Sequence, residues 1–237
     1  MYIKLNINEH KVWFISDPHY HQKNIVEGIS DWEDKSPCRP FKTLEEHDNT
    51  LVKNINACVK PEDTLFCLGD WNFGSYGDSV ELAFEFRKRL KCQNIILILG
   101  NHDEHIRDNK KGLQGCFKHV VDYAEVTLVE PSIKENVKAI KYKLILSHYA
   151  MRTWNHAHRG SYMLYGHSHG TLDEFTPTTA NPTWIGDNYY VRNYRTMDVG
   201  VDTHPEFRPY SWDEIKTCME QRGVDLEVDH HTRKRIQ

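Results

Sequence analysis

The sequence predicts an α/β fold, because short apolar runs typical of strands alternate with amphipathic runs typical of helices. Three apolar runs carry this prediction, at residues 11–15, 64–68 and 95–99. Two helical patterns, at residues 44–59 and 78–90, separate them along the chain. The run 95–99 is apolar at every position, which is typical of a strand buried on both faces of a sheet.

The first half of the chain contains the first strand, a long loop and a helix. Residues 11–15 are mostly apolar and are followed by Ser16 and an Asp-Pro pair, which indicates a strand followed by a turn. Residues 20–42 hold Gly and Pro among mixed charges and indicate an irregular loop. Thr43 and Glu46 then fit the capping-box pattern, which starts a helix that runs to about residue 59.

A second helix and a hairpin follow in the middle of the chain. Asp78 and Glu81 form another capping pair, and the helix that they start continues to Leu90. Further strands are expected at residues 123–129 and 138–146, and the turn between them favours a hairpin.

The last third of the chain is less regular. Residues 161–165 and 196–201 have strand-like patterns, and the Thr-, Asn- and Pro-rich stretch 171–195 between them is expected to be a surface insertion. Ser211 starts a final helix that reaches about residue 222. The polar tail 229–237 is expected to be frayed.

Length and composition indicate one globular domain that covers residues 1–237. The formal charge of −4 offers no general attraction to nucleic acid or to an anionic membrane surface. There is no run of 18 apolar residues and no pattern of a signal peptide, and the six cysteines show no paired spacing. We therefore expect a reduced, cytoplasmic protein without a membrane partner, whose oligomeric state the sequence leaves open.

Five motifs rich in metal-ligand residue types each follow a strand candidate. They are Ser16-Asp17-Pro18-His19, Gly69-Asp70, Gly100-Asn101-His102-Asp103, Ser147-His148 and Gly166-His167-Ser168-His169. In open α/β sheets, ligands gather beyond the carboxyl ends of the strands, where these loops converge. The alternative, five unrelated turns and surface histidines, requires five coincidences at five strand ends. We therefore expect one site.

The chemistry of the set indicates a pair of divalent metal ions. The candidate ligands are carboxylate, amide and imidazole groups, namely Asp17, His19, Asp70, Asn101, His148, His167 and His169. This mix suits Mn²⁺ best, with Fe, Zn²⁺ or Ni²⁺ as alternatives, and seven ligands exceed the needs of one ion. Two ions 3.5–4 Å apart can hold a hydroxide that attacks phosphorus in line.

These motifs resemble those of the calcineurin-like metallophosphoesterase family, in its short prokaryotic and phage-type branch, from residue 11 to about residue 201. The resemblance implies a four-layer α/β/β/α sandwich of two mixed β-sheets flanked by helices. It implies one metal held by Asp17, His19, Asp70 and His169, and a second held by Asp70, Asn101, His148 and His167. His102 would be the catalytic residue that binds no metal, stabilising charge or protonating the leaving oxygen.

Substrate contacts are less well defined in the sequence. Arg39 and Arg159 are candidates to hold a second phosphate or a nucleotide sugar, although a surface arginine is an equally good interpretation. Trp154 is a candidate to stack on a base, but core packing is the commoner use of tryptophan. After Gly69-Asp70 comes Trp71, not the Asp-Arg-Gly of the serine/threonine protein phosphatases, and this departure argues against a protein phosphatase.

The expected function is metal-dependent hydrolysis of small phosphodiesters or phosphomonoesters, with nucleotides among the candidate substrates. A DNA or RNA nuclease is the first alternative, although the chain lacks a basic stripe. The second alternative is a metal-binding scaffold without turnover.

Overall fold

Two mixed five-stranded sheets form the body of the protein, as the family resemblance implies. The computed structural model describes residues 1–36, 38–74, 78–109, 112–132, 136–172, 183–185, 188–190 and 195–222. The strands are β1 (Tyr2–Asn6), β2 (Val12–Ile15), β3 (Thr64–Cys67), β4 (Asn94–Ile98), β5 (His119–Val121), β6 (Ala124–Glu130), β7 (Ile140–Leu146), β8 (Tyr162–Tyr165), β9 (Thr183–Ile185), β10 (Asn188–Tyr190), β11 (Thr196–Asp198) and β12 (Tyr210–Ser211). The helices are α1 (Leu44–Cys58), α2 (Ser79–Arg89), α3 (Glu104–Asp108) and α4 (Trp212–Glu220).

The first sheet has the strand order β12-β2-β3-β4-β5. Strands β2 to β5 are parallel, and β12 joins the edge of β2 in the antiparallel direction. Parallel neighbours bring the carboxyl ends of β2, β3 and β4 to one edge, and three of the five motifs begin there.

The second sheet has the order β1-β6-β7-β8-β11 and combines parallel and antiparallel pairs. Strands β6 and β7 are antiparallel, so the expected hairpin is present. Strands β7, β8 and β11 run parallel to one another, which places the two histidine motifs at one edge of this sheet.

Alternating side chains divide the apolar runs between two cores. In β2, Trp13 and Ile15 face the helices α1 and α2, whereas Phe14 faces the second sheet. In β4, Ile96 also faces the second sheet, and it meets Leu144 of β7 in the same cluster. Both faces of the first sheet are therefore buried, which explains why its strands are apolar at nearly every position.

The helices flank the sheets as the sequence predicted. Helix α1 is capped by Thr43, whose side chain accepts a hydrogen bond from the Glu46 amide, and α4 begins with the capping box of Ser211 and Glu214. Helix α4 packs beside β2, β11 and β12, with Trp212 in the core between the sheets. Within the described residues, no helix is long and apolar enough to cross a membrane.

Several elements were absent from the sequence-based prediction. Strand β1 was not predicted, although Ile3 and Leu5 alternate with polar residues as in a half-buried strand, and it lies at the edge of the sheet beside β6. The short elements β5 and α3 have too few residues to show a period. Within 171–195, the hairpin β9–β10 is described by its backbone, and the tail 229–237 lies outside the described residues.

Candidate metal centre

The two sheets meet at the site. The backbone of Ser16, directly after β2, accepts a hydrogen bond from Val201 and donates one to Val199, which follows β11. This bridge holds the carboxyl ends of the first sheet against those of the second. The loops that carry Asp17, Asp70, Asn101, His148, His167 and His169 therefore open toward one another.

The first cluster consists of Asp17, His19 and His169, whose donor atoms all lie within 4.8 Å of one another. The distance from His19 Nε2 to Asp17 Oδ1 is 3.7 Å, and from His169 Nε2 to the same oxygen it is 3.8 Å. Ligands of one ion at roughly 2.1 Å lie about 3.4 Å apart in a tetrahedral arrangement. The cluster therefore has the spacing of a coordination shell.

The second cluster consists of Asp70, His148 and His167, again with donor atoms within 4.8 Å of one another. Asn101 joins it, because its Oδ1 atom lies 2.9 Å from His148 Nε2 and 2.9 Å from His167 Nδ1. All seven ligand candidates from the sequence are thus in these two clusters.

Asp70 lies between the clusters. Its Oδ2 atom is 3.5 Å from His19 Nε2 and 3.5 Å from His148 Nε2, so one carboxylate oxygen faces a histidine of each cluster. Its Oδ1 atom accepts a hydrogen bond of 2.9 Å from the backbone amide of His102. Asp70 is thus placed where it could contribute a ligand to a cation in each cluster.

Orphaned polar atoms show that cations fit here. Among the described residues, the buried atoms Asp17 Oδ1, His19 Nδ1 and His19 Nε2 have no hydrogen-bond partner, which is costly unless a ligand satisfies them. His148 Nδ1 donates to the carbonyl of Leu68 at 2.7 Å, and its Nε2 atom lies 2.9 Å from Asn101 Oδ1. In the neutral imidazole this Nε2 atom has a lone pair, and it is close enough to Asn101 Oδ1 for both atoms to bind one cation.

Burial also shifts the pKa values of the ligand candidates. Burial raises the pKa of Asp70 to about 7 and lowers the pKa of His19 to about 4, because each loses the solvation of its charged form. Burial also opposes ionisation of Asp17, but the neighbouring histidines His19, His169 and His148 together outweigh it and hold that pKa at about 2. No lysine or arginine side chain among the described residues pairs with either carboxylate. A bound cation would supply that charge.

The ligand loops have an unusual backbone conformation. Five ligands have positive φ angles, in the left-handed region, namely Asp17 (54°), His19 (47°), Asp70 (55°), His167 (69°) and His169 (47°). Such a conformation costs a non-glycine residue on the order of 1 kcal/mol or more, and it persists where the surrounding structure imposes it. The ligands are therefore held by the backbone, before any ion binds.

Two buried aspartates hold the ligand loops in this conformation. Asp103 accepts hydrogen bonds from the backbone amides of Asp70, Trp71 and Gly100 at 2.8–2.9 Å, and so ties the loop after β3 to the loop after β4. Both of its oxygens are thereby engaged with backbone, and His102 is not their partner. Asp198 does the same for the last motif, because it accepts from the amides of Gly170 and Gly200.

Asp202 was not identified from the sequence, and it supports the first cluster directly. Its Oδ2 atom lies 2.7 Å from His169 Nδ1, which leaves His169 Nε2 as the atom that faces Asp17. A fork of two hydrogen bonds from Arg39 (2.8 and 2.9 Å) holds the same carboxylate. The pattern Asp198-x-x-x-Asp202 after a short strand was the signal available in the sequence.

The location of Arg39 corrects its expected role in substrate binding. Its side chain is 2% exposed, and besides Asp202 it donates to the carbonyls of Asp17 and Pro18 at 2.6 and 2.8 Å. The donors of the guanidinium are thus bonded to Asp202 and to the loop that carries the first two ligand candidates. Arg39 is a positioning residue of the metal centre.

Trp154 and Arg159 also lie away from the site. Trp154 packs against Ile145 and Met163 on the outer face of the second sheet, and its Nε1 donates to Ser161. Arg159 lines a separate cavity of about 430 Å³ next to the first residues of β7 and β8, at the opposite end of these strands from His148 and His167. Neither side chain is placed to contact a substrate at the metals.

His102 lies beside the two clusters, and its catalytic role stays a prediction. Its ring centroid lies 5.5 Å from that of His19, and its backbone amide is bonded to the bridging Asp70. Burial lowers the pKa of His102, so the ring is neutral at pH 7 and can donate an N–H to an oxygen at the site.

The sequence matches the calcineurin-like phosphoesterase family over residues 10–226. The chain belongs to this family.

Two curated relatives have sequence similarity over a shorter stretch. An uncharacterised protein of Methanocaldococcus jannaschii is 34% identical over 96 residues, or 40% of this chain and 47% of the relative. The gene 66 protein of Mycobacterium phage L5 is 35% identical over 91 residues, or 38% of this chain and 39% of the relative. The chain thus matches less than half the length of these relatives.

Two solved structures match this chain at low sequence identity. A protein of unknown function from Aquifex aeolicus superimposes with a TM-score of 0.50 and 21% identity, covering 88% of this chain and 99% of that one. A Pseudomonas putida nuclease has a TM-score of 0.35 and 20% identity, with 67% and 60% of the two chains covered. The former supports the fold. The family and the two ligand clusters support metal-dependent phosphoester hydrolysis in general.

Proposed function

We propose that this protein is a dimetal phosphoesterase that hydrolyses small phosphodiesters, with phosphomonoesters as the neighbouring class and nucleotides among its substrates. The observation that carries the proposal is the position of Asp70 Oδ2, 3.5 Å from a histidine of each cluster. A single metal ion with an open coordination position needs three protein ligands. A carboxylate placed between two such sets of ligands could bind both ions of a metal pair.

Each part of the site has a distinct task in this proposal. Asp17, His19 and His169 would hold one cation, Asn101, His148 and His167 the other, and Asp70 both. When bound, two divalent cations supply Lewis acidity for the phosphoryl oxygens and lower the pKa of water. His102 donates a hydrogen bond to a phosphoryl oxygen or to the leaving oxygen.

The ligand chemistry favours Mn²⁺ as the native ion. Oxygen and imidazole ligands without a thiolate suit Mn²⁺, and they also accept Fe, Zn²⁺ and Ni²⁺. Site occupancy and turnover with each of these ions, added to metal-free protein, would rank them.

The test compares Asp70→Asn with wild type on bis-p-nitrophenyl phosphate in the presence of Mn²⁺. We expect the loss of both activity and one or more bound ions per chain, measured by inductively coupled plasma mass spectrometry. Asp122→Asn is the matched control, because Asp122 is exposed and, among the described residues, forms an ion pair with Arg107 alone. Full activity in Asp70→Asn would overturn the proposal.

The same assay decides between the alternatives. Two ions per chain with no turnover on mono-, di- and cyclic phosphoesters would identify a metal-binding scaffold. Faster cleavage of single-stranded DNA or RNA than of small diesters would identify a nuclease.

A further inference from the structure

A cavity of about 540 Å³ opens beside the second cluster. Asn101 and His102 form one of its walls, so the cavity is continuous with the metal centre. The opposite walls come from Phe73 after β3, the first turn of α2, and α3. This volume is within the range of pockets that bind a small organic molecule. A group attached to a phosphate at the metals would extend into it.

Phe73 supplies a flat apolar surface to this cavity. Its side chain is 38% exposed, and its ring packs against His102 in a T-shaped arrangement with 5.1 Å between centroids. The backbone is fixed as well, because the Phe73 amide donates to the carbonyl of Tyr20 at 2.9 Å. A rigid exposed aromatic ring stacks well on a heterocyclic base, whichever base it is.

Two carboxylates line the cavity further out. Glu104 and Asp108 lie one turn apart on α3, and both are exposed. Among the described residues neither has an ion-pair partner, so both carboxylates are free to accept hydrogen bonds. Carboxylates only accept, and they repel a ligand that brings further negative charge. The cavity therefore favours an uncharged group that carries N–H donors, and it disfavours a continuing polyphosphate or nucleic-acid chain.

We propose that this cavity binds the base of the leaving group, and that the substrate is a phosphodiester of an amino-bearing nucleoside. This substrate class rests on the proposed phosphoesterase function. The base stacks on Phe73, and its exocyclic amine donates to Glu104 or Asp108. Adenosine, cytidine and guanosine have such an amine, and uridine and thymidine do not.

The reaction consumes one water molecule. The water oxygen forms a new bond to phosphorus, and the bond between phosphorus and the nucleoside oxygen breaks. One water proton ends on the nucleoside hydroxyl, and the other goes to the phosphate monoester or to solvent. The products are a nucleoside and a phosphate monoester, with no change in oxidation state. His102 lines the cavity next to Asn101, where it can donate to the leaving oxygen.

Nucleoside binding to the Mn²⁺-loaded protein tests the cavity directly. Adenosine, cytidine and uridine would be titrated while their NMR signals are followed by saturation transfer, and the same nucleosides tested as competitive inhibitors of bis-p-nitrophenyl phosphate hydrolysis. We expect adenosine and cytidine to bind about tenfold more tightly than uridine, because uridine turns a carbonyl toward the carboxylates.

Three variants locate the contacts. Phe73→Ala should weaken adenosine binding roughly tenfold through lost stacking, and Phe73→Trp should preserve it. Glu104→Gln combined with Asp108→Asn should bring adenosine and uridine to similar affinity. Tyr2→Ala is the matched control, because Tyr2 is an exposed aromatic on β1 and should leave the affinity unchanged.

Equal affinity for all nucleosides, or adenosine affinity unchanged in Phe73→Ala, would overturn the inference. Turnover of bis-p-nitrophenyl phosphate by wild type is measured separately and reports on the proposed function. Absence of turnover on every ester would overturn that function and the substrate class with it. The nucleoside titration alone decides whether the cavity binds a base, so the two failures are distinguishable.

Discussion

Asp202 offers a direct test of how the first cluster is held. The substitution Asp202→Asn keeps the size of the side chain and removes its charge. The two carboxylate oxygens of Asp202 now accept hydrogen bonds from Arg39 and His169, and the amide of the variant would keep one of these oxygens as an acceptor. Burial opposes ionisation of Asp202, but the Arg39 charge and the hydrogen bond from His169 hold its pKa well below the ordinary range. The carboxylate is therefore ionised at every working pH.

The magnitude follows from the role of Asp202 behind a ligand. Removing a hydrogen-bond partner of a metal-ligating histidine typically lowers metal affinity by 10- to 100-fold, or about 1.4–2.8 kcal/mol. The free energy of unfolding should fall as well, by about 3 kcal/mol, because the buried Arg39 guanidinium loses its counter-charge. The second cluster has no contact with Asp202 and should keep its affinity.

Isothermal titration of Mn²⁺ into metal-free protein would measure both sites. We expect two binding events in wild type, and in Asp202→Asn one unchanged event and one weakened by 10- to 100-fold. Asp122→Asn serves as the control for loss of an aspartate, since it removes an exposed ion pair. A titration of Asp202→Asn that overlays the wild-type curve would refute the reasoning, provided that urea unfolding shows a folded variant.

Three further outcomes are expected. Hydrogen bonds from Arg208 hold the pKa of Glu214 at about 2, below its ordinary 4.5, so the ionised carboxylate stabilises the fold. The difference in free energy of unfolding between wild type and Glu214→Gln, measured by urea titration, should therefore shrink as pH falls from 4.5 to 2. A difference that does not change with pH would contradict this. Gly166→Ala should abolish metal binding in equilibrium dialysis, because the new Cβ would lie 2.4 Å from Asp17 Oδ2. Leu146→Ala should lower the free energy of unfolding by about 2–5 kcal/mol, since Leu146 is fully buried between the sheets, and a loss under 1 kcal/mol would show that the core collapses around it.

Much of the fold could be predicted because the strands of the first sheet are buried on both faces. The run 95–99 shows this directly, since Ile95 packs toward the helices and Ile96 toward the second sheet. Edge elements have no such signal. Strand β1 is partly exposed and owes its existence to pairing with β6, a contact between residues more than a hundred positions apart.

The ligands could be predicted because each is a chemically distinctive residue at the end of a strand. The residues that support them could not, since their roles depend on contacts distant in sequence. Arg39 illustrates this limit, because its partner Asp202 is 163 residues away and only the fold brings the pair together. Phe73 is another case, since an exposed phenylalanine has no meaning until the cavity beside it is known.

The left-handed conformation of five ligand candidates bears on which substitutions the sequence would accumulate if metal binding were no longer selected. Glycine adopts that conformation without steric strain, so glycine at an exposed position such as His167 would relieve the strain there. Together the five side chains cost on the order of 5 kcal/mol, a large part of the stability of a domain of ordinary size. A chain in which metal binding is no longer selected would gain stability by losing this strain. A glycine at one of these positions in a relative would therefore mark a chain that does not need the side chain there.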